Sequence, residues 1–214
     1  MITLLIADDH NLVCAAIAQL LANLSDIKVI GQANNGEEAF KIAKEKKPKV
    51  ILMDVNMPGI GGIKAIERIL ANNRNVNIIA LSAGMNDPLP ASLLKIGVKG
   101  CLTKGACLEE MLKGIRTVAA GKVYLEPKIA EQLALKNISG VDPSPISLLS
   151  ARELDVMLKI VNGTDIQAIA DKLYVSPKTV NNYRYRIYEK LNIKNDVELT
   201  LYASRHGLLD PENA

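Results

Sequence analysis

Short apolar runs alternate with helical patterns along the first 120 residues, and this alternation limits the possible folds more than any other feature of the chain. Most runs are apolar at successive positions, as in strands buried on both faces of a parallel sheet. The predicted strands are Leu4–Ala7, Val29–Gly31, Val50–Met53, Ile78–Ser82 and Gly100–Leu102. Five strand–helix repeats predict a doubly wound α/β domain, with a five-stranded parallel sheet and helices on both faces.

The pattern of apolar, polar and turn-forming residues changes twice along the chain, and these changes divide it into three parts. Residues 1–121 form the α/β domain. Residues 122–146 are predicted to be a linker with one short helix over Lys128–Lys136, followed by a run of turn-forming residues. Residues 147–214 are helical throughout and predict a small all-α domain. Two small domains agree with a length of 214 residues.

Composition excludes several classes of protein. Three cysteines without C-x-x-C spacing exclude a disulfide framework and disfavour a zinc ribbon. No apolar stretch approaches the roughly 18 residues that a membrane-spanning helix requires. The apolar run before Asp8 and Asp9 is too short for a signal peptide. We therefore expect a cytoplasmic protein without a membrane partner.

Polar side chains follow four of the predicted strands at their carboxyl ends: Asp8, Asp9, Asp54, Ser82 and Lys104. Because ligands bind outside the carboxyl ends of the strands in such sheets, we expect these side chains to converge. Carboxylates at close range require a compensating cation, and oxygen ligands suit Mg²⁺. Such a site suits phosphoryl transfer to a carboxylate, with the metal and the ammonium group neutralising the phosphoryl oxygens.

The aspartates at these strand ends also fit simpler structural roles and two different classes of protein. Asp9 could cap the first helix, and Asp54 could be a turn residue before a Met-Pro-Gly sequence. A metal-dependent phosphatase is an alternative, although it would favour a second aspartate two residues after the first, where this chain has Asn56. A flavin or nucleotide binder would require a glycine-rich turn after the first strand, where the chain has Asp8, Asp9 and His10.

The C-terminal part carries the start signals of short helices and one basic stretch. Ser150 and Glu153 form a capping box, and Ser176-Pro177 is a strong helix start. Residues 178–194 contain five basic residues and a single acidic residue, which gives this stretch a local charge of +4. A solvated helix face explains such a charge run without any nucleic acid.

The helix that begins at Ser176-Pro177 has an apolar stripe that fixes which residues face outward. The stripe consists of Val180, Tyr183, Ile187 and Leu191. This rotation directs Asn181, Asn182 and Tyr185 outward, where a helix in the major groove contacts base edges. The residues predicted to contact phosphates are Lys178, Thr179, Arg184, Arg186 and Lys190.

A last helix is predicted over about Val197–His206, ending at Gly207. Four short helices bury little apolar surface on their own. A second copy packing through this helix, at Leu199 and Tyr202, would give a two-fold DNA site.

Five stretches of the chain together resemble a known family. Leu5–His10, Leu52–Gly59 and Leu102–Gly105 resemble the receiver domain of bacterial two-component response regulators. Leu149–Glu153 and Ser176–Val180 resemble the LuxR-type helix-turn-helix. Over essentially its whole length the chain resembles the NarL/FixJ family. Three further stretches resemble most closely the GacA/UvrY/LetA branch of that family: Asp87–Ala91, Asn182–Arg186 and Asp196–Thr200.

The resemblance implies a flavodoxin-like receiver domain joined to a helix-turn-helix domain. Asp54 would be the phosphoacceptor, and a phosphohistidine on a sensor histidine kinase or its phosphotransfer domain would supply the phosphoryl group. Ser82 would be the switch hydroxyl and Lys104 the lysine of the family pattern. The residues implied to hold Mg²⁺ are Asp8, Asp9, Asp54 and, through its carbonyl group, Asn56.

The implied activity is regulatory. The chain would not be an enzyme, apart from slow self-dephosphorylation. It would bind double-stranded promoter DNA as a homodimer when phosphorylated and so control transcription.

Two positions depart from the family pattern, and the first is Cys14, which follows Leu12-Val13 in the first helix where the family commonly has arginine. The family usually has tyrosine or phenylalanine three residues before the lysine, where this chain has Cys101. The aromatic rotamer that reports movement of the switch hydroxyl is therefore absent. A DNA-binding regulator that does not depend on phosphorylation is the alternative that this departure keeps open.

Overall fold

The computed structural model describes residues 1–82, 89–138, 145–205 and 208. A parallel sheet in the order β2-β1-β3-β4-β5-β6 forms the centre of the N-terminal domain. Its strands are β1 (Ile2–Ala7), β2 (Ile27–Ala33), β3 (Val50–Asp54), β4 (Asn77–Ser82), β5 (Gly100–Thr103) and β6 (Tyr124–Leu125). The first five match the predicted strands, so the doubly wound fold is confirmed.

Helices cover both faces of this sheet. They are α1 (Asn11–Leu21), α2 (Gly36–Lys46), α3 (Gly61–Asn72), α4 (Leu89–Ile96) and α5 (Leu108–Ala119). Alternate strand residues pack against α2, α3 and α4 on one face, as Met53 does, or against α1 and α5 on the other, as Leu52 does. The sequence predicts that the fourth helix starts at Pro88, and this residue lies outside the described residues.

The sixth strand differs from the predicted five-stranded sheet. Tyr124 and Leu125 come from the predicted linker and pair in parallel with Gly100 and Cys101 of β5. Two residues are too few to give a hydrophobic period, so the sequence pattern had no signal for this strand. The chain then continues into α6 (Pro127–Ile138), where one short helix was predicted. Residues 139–144, near the end of the predicted linker, lie outside the described part.

The apolar residues of α1 are only partly buried in the core. Cys14, Ile17 and Leu21 are buried, whereas Leu12 and Leu20 are 82% and 54% exposed. The helix therefore presents leucine side chains on its outer surface in its first and last turns.

The C-terminal domain contains a 3-10 helix and four α-helices within the described residues. They are the 3-10 helix Pro145–Leu148, α7 (Ala151–Val161), α8 (Ile166–Leu173), α9 (Pro177–Leu191) and α10 (Asp196–Arg205). The capping box of Ser150 and Glu153 is present, and Ser176 caps α9 through the amide of Thr179. His206 and Gly207, predicted to end the last helix, lie outside the described residues.

The two domains pack against each other through α7, which contacts α3 and α4. Arg152 of α7 is buried beside the start of α3. A Cβ atom added to Gly61 would lie 3.1 Å from the Nη1 atom of Arg152. In the described part of the chain, no helix has the length and apolar character that a membrane span requires.

Candidate functional site

Asp54, the last residue of β3, lies at the carboxyl edge of the sheet and is fully buried. Its Oδ1 atom accepts a hydrogen bond from the backbone N–H of Asn56 at 2.9 Å. Its Oδ2 atom accepts a second one from Nζ of Lys104 at 2.7 Å. A buried carboxylate is thus held by one backbone donor and one cation, at the point where the sequence predicted the reactive group.

The loop after β3 fits closely around Asp54. A Cβ atom added to Gly62 would lie 1.9 Å from the backbone oxygen of Asp54, so any side chain there would displace the strand end. Glycine at this position lets α3 begin directly against the strand that carries the carboxylate.

Lys104 follows β5 and reaches across the edge of the sheet. Its backbone N–H donates to the carbonyl oxygen of Ser82 at 2.9 Å, which fixes the strand end beside β4. Its Nζ atom also lies 3.3 Å from Oδ2 of Asp8, a buried atom without a hydrogen-bond partner among the described residues. Ser82 itself is buried at the end of β4, opposite Thr103 in the ladder.

His10 is a member of the acidic cluster that the sequence interpretation did not single out. Its Nδ1 atom lies 2.9 Å from Oδ1 of Asp8 and 2.8 Å from Oδ1 of Asp9. Single ligand atoms of Asp8, Asp9, His10 and Asp54 lie within 4.8 Å of one another. Its place directly after the two aspartates was the available sequence signal.

The cluster fits a hard divalent cation. Three carboxylates share one edge of the sheet, and Lys104 is the ammonium group paired with two of them. The buried Oδ2 atom of Asp8 still lacks a hydrogen bond from the described residues. Oxygen ligands with surplus negative charge are the donor set that Mg²⁺ prefers.

Burial and charge set the protonation of the central pair. Burial raises the pKa of Asp54, and the opposing hydrogen bonds from Lys104 and Asn56 do not fully offset it. Burial lowers the pKa of Lys104, but the hydrogen bond to Asp54 and the nearby charges raise it above its ordinary value overall. The ammonium form of Lys104 is therefore retained at neutral pH, as electrostatic stabilisation of phosphoryl oxygens requires.

Cys101 lies inside the core. Its side chain is 1% exposed and belongs to the apolar cluster on the face of α2, α3 and α4. A small buried thiol therefore occupies the position where the family pattern has an aromatic side chain.

Helix α9 presents part of its predicted reading face to solvent. Asn182 is exposed, and Tyr185 is 61% exposed. Asn181 is half-buried, and its Oδ1 atom accepts a hydrogen bond from Nη1 of Arg184 at 3.3 Å. Thr179 is half-buried as well, with its hydroxyl oxygen 2.9 Å from that of Ser176 at the helix start.

The basic residues of α9 divide into two groups. Lys178 and Arg186 are exposed, and neither forms a salt bridge within the part of the chain that the structure describes. Arg184 instead pairs with Asp196, with Nη2 and Oδ2 2.9 Å apart. Lys190 pairs with the buried Glu153 of α7 at 2.6 Å. Two of the four cations that were predicted to contact phosphates therefore pair with carboxylates of their own domain, and the phosphate contacts stay a prediction.

The outer face of α10 also differs from the predicted one. Leu199 is fully buried in the domain core, which corrects its expected place in a contact between copies. Tyr202 is half-buried. The exposed apolar residues of this helix are Val197 at 70% and Leu201 at 53%.

Comparisons with known proteins agree with both parts of this description. The model of the response regulator receiver domain matches residues 4–116, and that of the bacterial regulatory proteins of the luxR family matches residues 147–203. The response regulator GacA of Pseudomonas viridiflava is 50% identical over 211 residues, covering 98% of this chain and 99% of that protein. The response regulator UvrY of Escherichia coli (strain K12) is 45% identical over 213 residues, covering 99% and 98%.

Solved structures give the same fold. RcsB of Salmonella enterica serovar Typhimurium, bound to promoter rprA in the presence of phosphomimetic BeF3⁻, superimposes with a TM-score of 0.70 at 23% identity. That alignment covers 95% of this chain and 98% of the RcsB chain.

Three findings agree: the sheet is doubly wound with an acidic edge, the helices of the second domain are capped, and a GacA response regulator is 50% identical over 98% of the chain. This chain belongs to the two-component response regulators that combine a receiver domain with a LuxR-type DNA-binding domain.

Proposed function

We propose that phosphoryl transfer to Asp54 from a phosphohistidine controls promoter binding by α9. The donor would be a sensor histidine kinase or its phosphotransfer domain. The supporting observation is the buried Asp54 carboxylate held 2.7 Å from the Lys104 ammonium group. A transcription regulator of this kind acts in the cytoplasm, where promoter DNA and the kinase domain are both accessible.

The transfer step follows from this geometry. A carboxylate oxygen of Asp54 attacks phosphorus, the P–N bond to the donor histidine breaks, and its electron pair returns to the imidazole, which takes up a proton. Lys104, which pairs with Asp54, would contact a phosphoryl oxygen, and the buried Ser82 would hydrogen-bond another. Mg²⁺ held by Asp9, Asp54 and the Asn56 carbonyl, beside Asp8, would neutralise part of the phosphoryl charge. Slow hydrolysis of the acyl phosphate returns the protein to its resting state.

DNA contacts are proposed in two classes. Asn182 and Tyr185, with Asn181 at their side, would contact base edges in the major groove. Lys178, Thr179 and Arg186 would contact phosphates, which supply affinity but no sequence information.

A second copy is proposed to pack on α10. Val197 and Leu201 form its exposed apolar face, while Leu199 holds the helix on its own core. Two copies related by a two-fold axis would match an operator with two half-sites.

The proposal is tested by fluorescence anisotropy of duplex DNA recovered by selection from a random library with the full-length protein. Protein treated with acetyl phosphate and Mg²⁺ should bind the selected duplex more tightly than untreated protein. The Asp54→Asn protein should bind equally with and without that treatment. An equal gain in affinity for the Asp54→Asn protein would rule out control through Asp54.

A further inference from the structure

Glu126 is a buried carboxyl group outside the residues matched to the receiver family. Glu126 is 6% exposed, and it lies beyond the segment that matches the receiver family, which ends at residue 116. It lies between β6 and α6, and its carbonyl oxygen accepts the N–H of Ala130 at 2.9 Å, so it stands at the start of α6. The short polar side chains preferred in this position bond to their own helix, but the longer side chain of Glu126 contacts β5.

Glu126 contacts β5 at two points. Its backbone N–H donates to the carbonyl oxygen of Cys101 at 3.0 Å. Its Oε2 atom accepts the backbone N–H of Thr103 at 2.7 Å. The ladder between β5 and β6 ends at Cys101 and Leu125, so the carboxylate takes the place of the next strand residue.

Thr103 is the residue directly before Lys104. On one side of this strand end, the N–H of Lys104 bonds to Ser82 of β4. On the other side, the N–H of Thr103 bonds to Glu126. The backbone at Thr103 and Lys104 is therefore hydrogen-bonded to β4 on one side and to Glu126 on the other.

We propose that Glu126 is a positioning residue for phosphoryl transfer at Asp54, acting through the backbone of Thr103 and Lys104. A lysine side chain is a flexible four-carbon stem, so the position of its backbone limits where the ammonium group can rest. The hydrogen bond from the backbone N–H of Thr103 to the buried carboxylate oxygen of Glu126 fixes that backbone. The inference rests on the proposed function of Asp54 and Lys104.

Three substitutions in the full-length protein separate geometry from charge. Glu126→Gln keeps an oxygen acceptor at the same reach. Glu126→Asp keeps the charge but withdraws the oxygen by one methylene group, and Glu126→Ala removes the acceptor. Glu131→Ala, at an exposed position of α6, is the matched control.

Phosphorylation by acetyl phosphate is measured by intact mass at a series of Mg²⁺ concentrations. Glu126→Asp and Glu126→Ala should lower the maximal rate by about three- to tenfold, the range that one net hydrogen bond can supply. The Mg²⁺ concentration at half-saturation should stay unchanged, because the proposed metal ligands lie on other strands. Glu126→Gln and the Glu131→Ala control should keep a rate close to that of the parent.

Amide hydrogen exchange gives a second readout that is independent of activity. The Thr103 amide should exchange faster in Glu126→Asp than in Glu126→Gln. Equal rates of phosphorylation in all variants, equal losses in Glu126→Gln and Glu126→Asp, or a shift in Mg²⁺ half-saturation would each overturn the proposal. If the parent protein itself took up no phosphoryl group at Asp54, the proposed function would fail instead.

Discussion

Lys190 in the last turn of α9 donates a hydrogen bond from Nζ to Oε2 of Glu153 in the first turn of α7, across 2.6 Å. The same oxygen accepts the backbone N–H of Ser150 at 2.8 Å and completes the capping box. Glu153 is buried, and the neighbouring Arg152 contacts the start of α3. One turn of α7 therefore joins the proposed DNA-reading helix to the receiver domain.

We predict that Lys190→Met lowers the stability of the C-terminal domain and leaves the salt dependence of DNA binding unchanged. The buried Glu153 carboxylate loses its charged partner, which costs about 1–3 kcal/mol in free energy of unfolding. Tyrosine fluorescence during urea unfolding reports this domain, because five of the six tyrosines lie at Tyr174 or beyond and tryptophan is absent. Lys172→Met, at an exposed position, is the control. Parent-like stability with a shallower salt dependence would instead place Lys190 on a phosphate.

The same pair predicts a change in acid stability. Burial raises the pKa of Glu153, but the hydrogen bonds from Lys190 and Ser150 lower it below its ordinary value overall. A depressed pKa stabilises the folded state above the ordinary glutamate value of about 4.3, and this stabilisation is lost as pH falls through the folded-state pKa. The Lys190→Met protein should therefore begin to unfold in acid at a higher pH than the parent. Tyrosine fluorescence during an acid titration measures this transition. Superimposable acid transitions would contradict the pairing.

Two substitutions on α9 should separate base reading from phosphate contact. Asn182→Ala should cost about 1–3 kcal/mol on a selected duplex and little on random DNA. Lys178→Ala should weaken binding to both and reduce the slope of log K against log salt by about one unit. Titrations at several salt concentrations measure both effects. If both variants bound like the parent, the local charge of +4 would be only a solvated face.

Cys101 should limit how strongly phosphorylation changes DNA affinity. A buried thiol offers no aromatic ring to follow the movement of Ser82. We therefore predict that phosphorylation raises the affinity for DNA by about fivefold, at the low end of the 1–3 kcal/mol that is typical of coupled sites. Cys101→Tyr should enlarge that gain, and Cys101→Ala should leave it unchanged. The ratio of DNA affinities with and without acetyl phosphate measures it. A native gain near a hundredfold, or no effect of Cys101→Tyr, would contradict this expectation.

The fold was predictable from the sequence because its signals are local. Apolar runs such as Val50–Met53 mark strands buried on both faces, and Ser176-Pro177 marks the start of α9. The convergence of Asp54 and Lys104 was predictable from the same pattern, because parallel strands end at one edge.

The features that were missed depend on contacts between distant segments. No hydrophobic periodicity in the sequence marks β6 or Glu126. Their positions are set by hydrogen bonds to β5. Lys190 was expected to face DNA, because a helical stripe gives the direction of a side chain but not the partner at its end. Leu199 was misplaced for a related reason, since its burial depends on how α10 packs on α7.

The central claim is that Asp54 accepts the phosphoryl group. Full-length protein incubated with acetyl phosphate and Mg²⁺ is analysed by intact mass and by fragmentation after trapping of the acyl phosphate. We predict one phosphoryl group on Asp54, none on Asp54→Asn, a reduced rate for Asp9→Asn, and parent behaviour for the exposed Asp171→Asn control. Equal phosphorylation of the Asp54→Asn protein would contradict the assignment.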